Sequence, residues 1–442
     1  MISHISGYPE IAIKYQNMFC CMIQKMQKEL HSYGFESLDT SPVEKLDALL
    51  SKSGDNEIYG IQRANDRGSN FSPELGLRFD LTFSFARYVA QHSNDIIFPY
   101  KRYQTGYVWR GDRPQNGRYR QFYQFDIDIV NRGNELFWSE VEVVCLLSKC
   151  LHILGLDKFT ILVNHKDILS GIFESLDIPQ EKFLEIARLL DKTDKIKIDT
   201  FATLLEENNC NRKQIDKICE LVAIDFTKES MEVQTKILEQ FTSSKKFHES
   251  LEYMRKLIAF TKNLNAFHDN IVLIPRLARG LSYYTGFVCE VVTESDYKLG
   301  SICGGGTYSN LISNLGSKQQ YGGVGVSIGL YRLFKLLTDT YQEKYENTIM
   351  ITTQDYSMMV VYMKLANQLR ALSLNVFVYT EKQTLSNQLK YASKRKFKFA
   401  IIFDKKEHQE GVAILRNMEE GIQSTVKLNE LPHIVGRMVE NT

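Results

Sequence analysis

The stretch Pro99–Val130, PYKRYQTGYVWRGDRPQNGRYRQFYQFDIDIV, concentrates side chains suited to chemistry rather than to filling space. From Arg118 its even positions are Arg118, Arg120, Phe122, Gln124, Asp126 and Asp128, and its odd positions are Tyr119, Gln121, Tyr123, Phe125, Ile127 and Ile129. Strand side chains alternate between faces, so one face is nearly all apolar. The other carries two guanidiniums, a ring, an amide and two carboxylates. Arg110, on the strand before the loop, and Arg118, after it, flank a turn holding Asp112, Pro114 and Gly117. Forked guanidiniums fit phosphates and Phe122 offers a surface for a base, which together suit a bent nucleotide. Gln124 and Asp128, deeper on the same face, suit an ammonium and a polar side chain. A solvated surface strand is the plainer alternative, but the opposite face already supplies the core.

Further segments carry weaker signals. In Leu77–Ala90, LRFDLTFSFARYVA, Asp80 and Thr82 share a face near a strand end, although Asp80 taken alone reads as a turn residue or helix N-cap. In Leu277–Glu290, LARGLSYYTGFVCE, Arg279 lies among small and apolar residues and is followed by Tyr283 and Tyr284, of which one must face the core. An arginine on a Gly-flanked loop can approach an anionic oxygen closely; pairing with a nearby carboxylate explains it equally well. Gly304–Gly306 and Gly322–Gly329 match neither a phosphate loop nor a dinucleotide fingerprint. They read as places where backbone approaches a flat ligand, with Arg332 reaching back from the next helix. The basic run Lys390–Lys398, KYASKRKFK, is either a solvated helix end or an RNA-facing patch.

The elements that must position these residues follow from periodicity. Helical spacing over Ile11–Ser32, a strand at Glu36–Thr40, strand candidates at Ile58–Gln62 and Gly76–Phe83, and a helix at Leu81–His92 lead into the hairpin. A helix at Leu136–Leu154 and a strand at Phe159–Asn164 follow. From about Asp167 to Leu264 the chain is charge-rich, poor in Gly and Pro, and helical in period, which suggests an inserted helical domain. Strands return at Val272–Ile274 and Gly286–Thr293, and a helix at Leu330–Thr340 closes this part. Beyond a polar link, strands and helices alternate as in a small, separate α/β domain. The expected division is 1–166 and 266–342 for one sheet-forming domain, 167–265 for the helical insertion and 343–442 for the tail.

With 442 residues, 43% hydrophobic and 24% charged, the chain has room for two or three cores. Its net charge of +1 leaves any RNA contact to local patches. Its eight cysteines form no zinc-type spacing, and no apolar run approaches membrane-spanning length. A soluble, intracellular protein without membrane contact is expected, its thiols reduced.

Together these segments resemble histidyl-tRNA synthetase, of the class II aminoacyl-tRNA synthetase family. RPQNGRYR is similar to the histidyl form of motif 2, LRFDLTFSFARYVA and RGLSYYTG to the family's histidine-site signatures, and GVGVSIGLYRL to motif 3. The resemblance implies an α+β fold: a class II catalytic domain with an antiparallel sheet flanked by helices, a helical insertion, and a C-terminal α/β domain like the family's anticodon-binding domain. It implies ATP-dependent ligation of L-histidine to tRNA(His) through histidyl-adenylate, with Mg²⁺, in a cytoplasmic homodimer.

Carried over, Arg110 and Arg332 would bind ATP phosphates, Phe122 would stack on adenine beside Asp112, and Arg118 would bridge the α-phosphate and the substrate carboxylate. Asp80, Thr82, Gln124 and Asp128 would surround the histidine amino group and backbone. Arg279 would stabilise charge at the α-phosphate; Tyr284 and Tyr308 would contact the imidazole, with Tyr283 beside them. The chain departs from the family pattern at Ser282, Thr307, Ser309 and Tyr331, and also at Asp112 and Gln121, each in place of Glu. Those departures leave two rivals: a paralogue that binds histidine as a regulatory subunit, and a duplicated synthetase with an altered pocket or inhibitor resistance.

Overall fold

The computed structural model describes residues 5–51, 57–63, 73–114, 117–191, 193, 196–264, 270–278, 284–293, 300–316, 319–339 and 346–440. Arg279, Ser282 and Tyr283 lie outside them. The chain forms two compact units, Met1–Asp339 and Thr340–Thr442.

The first unit opens with α1 (Ile13–Ser32), β1 (Glu36–Ser37), β2 (Val43–Lys45), α2 (Leu46–Leu50), β3 (Gly60–Ile61), β4 (Leu75–Leu77) and α3 (Thr82–His92). The hairpin strands are β5 (Tyr100–Trp109) and β6 (Gln121–Arg132); α4 (Phe137–Ile153) and β7 (Thr160–His165) follow. Next come the helices α5 (Lys166–Ser175), α6 (Phe183–Leu190), α7 (Ile198–Glu207), α8 (Arg212–Ala223), α9 (Met231–Leu238) and α10 (Lys245–Leu264). The unit ends with β8 (Asn270–Leu273), β9 (Phe287–Val292), β10 (Cys303–Thr307), β11 (Tyr321–Gly329) and α11 (Leu330–Asp339).

Eight strands form one sheet in the order β1-β5-β6-β11-β10-β9-β7-β8, parallel only at its two outer pairs. Odd positions of β6 (Phe125, Ile127, Ile129) and even positions of β11 (Val324, Val326, Ile328) face Phe19, Met22 and Met26 of α1 and Val143, Val144 and Leu147 of α4 in one continuous core. The core extends to Ile172 of α5 and Met254 of α10, so the helical segment is packed into the unit. β2, β4 and β3 make a separate three-stranded sheet.

The tail unit contains β12 (Glu346–Ile351), α12 (Met359–Arg370), β13 (Asn375–Val378), α13 (Leu385–Lys394), β14 (Phe397–Ile402), α14 (Lys405–Gln409), β15 (Val412–Asn417), β16 (Gln423–Lys427) and α15 (Leu431–Glu440). Its sheet, β13-β12-β14-β15-β16, is parallel through β13, β12 and β14 and antiparallel beyond. Ile349, Phe399 and Ile401 pack beneath Tyr362 and Leu369 of α12 and Val435 of α15. Among the described residues no helix is long and apolar enough to cross a membrane.

Candidate active site

The site is built on the face of the large sheet opposite α1 and α4. Strand register sets its rows. Asp128 of β6 stands between Arg102 of β5 and Gly325 of β11, and that row continues through Gly306 of β10 and Val288 of β9 to Asn164 of β7. The next row reads Gln104, Asp126, Ser327, Gly304 and Glu290. Gln124 lies one step further, between Gly106 and Gly329.

Burial makes these groups expensive to leave alone. Arg102 is fully buried, 2.9 Å from Asp128 Oδ2, and its guanidinium sits 4.1 Å from the Phe85 ring centroid on α3. It also donates to Gln104 Oε1 at 3.1 Å. Tyr308 Oη donates to Asp128 Oδ1 at 2.7 Å, and Thr82 Oγ1 donates to Asp126 Oδ2 at 3.2 Å. Burial pushes both Asp126 and Asp128 upward from the usual carboxylate range; their mutual repulsion adds to the effect on Asp126, and Arg102 opposes it in both. Asp80 is pushed up to about 6 by burial, against the pull of the Phe83 N–H and of Arg110. Gln124 Oε1 and Asp126 Oδ1 are buried without a hydrogen-bond partner among the described residues. A face with three carboxylates and open acceptors asks for a cationic donor.

The residues proposed for nucleotide contact sit at the hairpin end. Arg110 Cζ lies 5.1 Å from the Phe122 ring centroid and Arg110 Nε donates to Phe79 O at 3.1 Å, beside Asp80. Phe122 is half-buried, Arg118 is exposed and Asp112 is half-exposed at the turn. Arg332, on the first turn of α11, donates to Gly117 O at 2.7 Å and to Ser301 O at 2.6 Å, which ties the loop after β5 to the end of β11. The structure thus brings Arg110, Phe122 and Asp80 together and links Arg332 to the same loop. Asp80 is at once a local turn acceptor, taking Phe83 N–H at 2.9 Å, and a neighbour of the Asp128 cluster.

The glycine segments, read from the sequence as places where backbone approaches a flat ligand, lie in strands β10 and β11. Their missing Cβ atoms make room for this chain's own side chains. A Cβ on Gly325 would collide with the Asp128 carboxylate, and one on Gly323 with the Tyr308 ring. Gly306 lies beneath the ring of Tyr284, whose hydroxyl burial holds well above the usual tyrosine range.

Sequence reasoning missed Arg102, which among the described residues is the guanidinium paired with Asp128. Folding the hairpin about the turn at Pro114–Gly117 would have set the two opposite each other. Asn164, whose Nδ2 donates to Pro275 O and Leu277 O at 2.9 and 3.0 Å, anchors the chain just before Arg279; an isolated Asn in a buried strand gave no signal. Of the departures from the family pattern, Tyr331 turns toward the core, against Phe19 and Tyr119, while Thr307 meets a buried carboxylate, Glu140. Gln121 Oε1 accepts from Trp109 Nε1 at 2.9 Å, and Ser309 N–H donates to Thr285 Oγ1 at 3.0 Å. In the tail, Lys390, Lys394 and Arg395 are exposed while Lys398 is buried in β14, so the basic run divides at the end of α13.

A family model described as histidyl-tRNA synthetase matches residues 14–333, and one described as an anticodon binding domain matches residues 348–438. The histidine–tRNA ligase of Clostridium tetani is 33% identical, over 98% of either chain. That of Finegoldia magna is 34% identical, over 97% of this chain and 98% of its own. The crystal structure of histidyl-tRNA synthetase from Nostoc sp. PCC 7120 superposes with a TM-score of 0.85 at 28% identity, covering 99% of both chains.

Proposed function

The chain belongs to the histidyl-tRNA synthetase family and is an ATP-dependent histidine–tRNA ligase, and we propose how its residues divide that work. In the first step the carboxylate of histidine attacks the α-phosphate of ATP in line and pyrophosphate leaves. In the second, a hydroxyl at the 3′ end of tRNA(His) attacks the carbonyl carbon of the adenylate and AMP leaves. No protein nucleophile is required; positioning and fixed positive charge lower the barrier.

Arg110 and Arg332 take the ATP phosphates, Phe122 stacks on adenine beside Asp112, and Arg118 swings from its exposed position to the α-phosphate and substrate carboxylate. Asp80, Thr82, Gln124 and Asp128 receive the ammonium and backbone of histidine, and Tyr284 and Tyr308 its imidazole. Arg279, with Tyr283 near it, supplies the second positive charge at the α-phosphate. The observation that carries this reading is the buried Gln124–Asp126–Asp128 face with its open acceptors opposite Arg102.

Mg²⁺ would neutralise charge on the phosphates. Among the described residues there is no cluster of three metal-ligating side chains. Mg²⁺ held mainly by phosphate oxygens and water needs only one or two carboxylates, and Glu290 stands in the Asp126 row to serve as one. The domain division expected from the sequence, a homodimer and a cytoplasmic location complete the proposal, with the tail reading the anticodon; the anticodon-domain match supports that last role. Nothing favours the regulatory-subunit alternative.

Histidine-dependent ATP–pyrophosphate exchange, followed by charging of tRNA(His), tests the whole scheme. Exchange absent with histidine would sink it. Arg279→Ala should lose exchange by roughly a hundredfold or more with its melting temperature kept; unchanged exchange would refute its role.

A further inference from the structure

A buried carboxyl outside the substrate face links the helical segment to that face. Glu140, on the first turn of α4, is only 3% exposed. Tyr253 of α10 donates its hydroxyl to Glu140 Oε2 at 2.6 Å, and Thr307, the last residue of β10, hydrogen-bonds Glu140 Oε1. The residue after Thr307 is Tyr308, whose hydroxyl meets Asp128. Thr307 is further fixed through its carbonyl, which accepts Thr285 N–H at 2.7 Å beside Tyr284.

We propose that Glu140 is a positioning residue for the amino-acid pocket: through Thr307 it holds the end of β10 so that Tyr308 and Tyr284 present their rings to histidine. The proposal rests on the reading of that face as the histidine site.

Three observations carry it. A carboxyl this deep costs several kcal/mol unless it does something in return, and Glu140 has no cationic partner among the described residues. Its partners are two hydroxyls, one on α10 and one adjoining a pocket tyrosine. Burial outweighs both hydrogen bonds and pushes the group up to about 7, so a large share is neutral at physiological pH. A neutral carboxyl can donate as well as accept and so bridge two hydroxyls without an ion in the core. Thr307, a departure from the family pattern, therefore has a hydroxyl suited to that bridge.

Histidine-dependent exchange should be measured on the full chain with histidine and ATP titrated separately. Glu140→Ala and Thr307→Val should each raise KM for histidine roughly tenfold, about 1.4 kcal/mol, with KM for ATP and kcat within about threefold. Glu140→Gln, which keeps the size and can accept from Tyr253 Oη and donate its Nε2–H to Thr307 Oγ1, should stay within about threefold of the parent. The double variant Glu140→Ala/Thr307→Val should be no worse than Glu140→Ala alone.

If Glu140→Ala does not fold, Thr307→Val and Glu140→Gln still decide the matter. An unchanged KM for histidine in folded Thr307→Val overturns the positioning role. So does a parallel rise of both KM values, which reports a general disturbance of the site; a fall in apparent kcat with both KM values unchanged, which reports only loss of active protein, overturns it too. Absence of exchange in the parent chain instead overturns the functional reading, and this inference with it.

Discussion

The two faces of β6 are equally buried and opposite in character. Phe125, Ile127 and Ile129 are at most 1% exposed, and on the other side Asp126 and Asp128 are each 1% exposed with Gln124 at 7%. On the first face every atom has neighbours that want nothing more. On the second, Gln124 Oε1 and Asp126 Oδ1 stay unsatisfied among the described residues, at a cost of about 1–3 kcal/mol each. One side of the strand is complete as folded, whereas the other, even with Arg102 on it, keeps acceptors open among the described residues. On the proposed assignment, stability and function are divided between odd and even positions of a single strand.

Substitutions that strike one face or the other test this division. The largest effect should come from Asp128→Ala, which strands the Arg102 charge in the core. Unfolding free energy in urea should fall by about 3–5 kcal/mol, with exchange lost. Pairing Asp128→Leu with Arg102→Met should recover most of that stability and none of the exchange; recovery of both would break the comparison.

Next, Ile127→Ala should cost about 2–5 kcal/mol in the same denaturation experiment. Its KM for histidine should stay near the parent value, and a large rise there would blur the two faces. Gly323→Ala should cost about 1–3 kcal/mol by driving a methyl into the Tyr308 ring, and should raise KM for histidine as that ring shifts.

The smallest effect is a pH dependence. Asp80 has a folded value near 6 against an ordinary 3.8, so its stabilising neutral form is complete below the ordinary value and is lost as pH rises through 6. Asp80→Asn should therefore gain on the parent by on the order of 1 kcal/mol between pH 5 and pH 8 in melting experiments. It should also remove the inflection near pH 6 from the histidine KM profile. A parent stability difference that does not change over this range would contradict the assignment.

The alternation in β6 was legible because it is local: period two over a dozen residues needs no knowledge of the rest of the fold. The helical block, the tail's alternation and the hairpin were legible for the same reason. Arg102 required the register of the hairpin, which alternation alone does not supply. Glu140 was hidden further still, since its partner Thr307 is 167 residues away and one Glu in an apolar helix looks like an exposed position. That the glycines lie in strands was not legible, because glycine disfavours strands on its own; the bulk of Tyr308 and Asp128, held by other elements, explains why nothing larger fits at Gly323 and Gly325. Arg279 and Tyr283 lie outside the described residues.

Gly325 and Tyr308 also bear on how the sheet assembles. β6 and β11 are about 200 residues apart in the chain, and many offset pairings between two such strands would satisfy their backbones. An offset of one residue would turn valines 324 and 326 onto the carboxylates. An offset of two in one direction would bring the Cβ of Ser327 to where a side-chain atom collides with Asp128. The native alignment places a residue without a Cβ beside the Asp128 carboxylate, where these offsets would not. The Gly325–Asp128 contact therefore also favours one register of the chain's own sheet over these offsets, before any substrate is present.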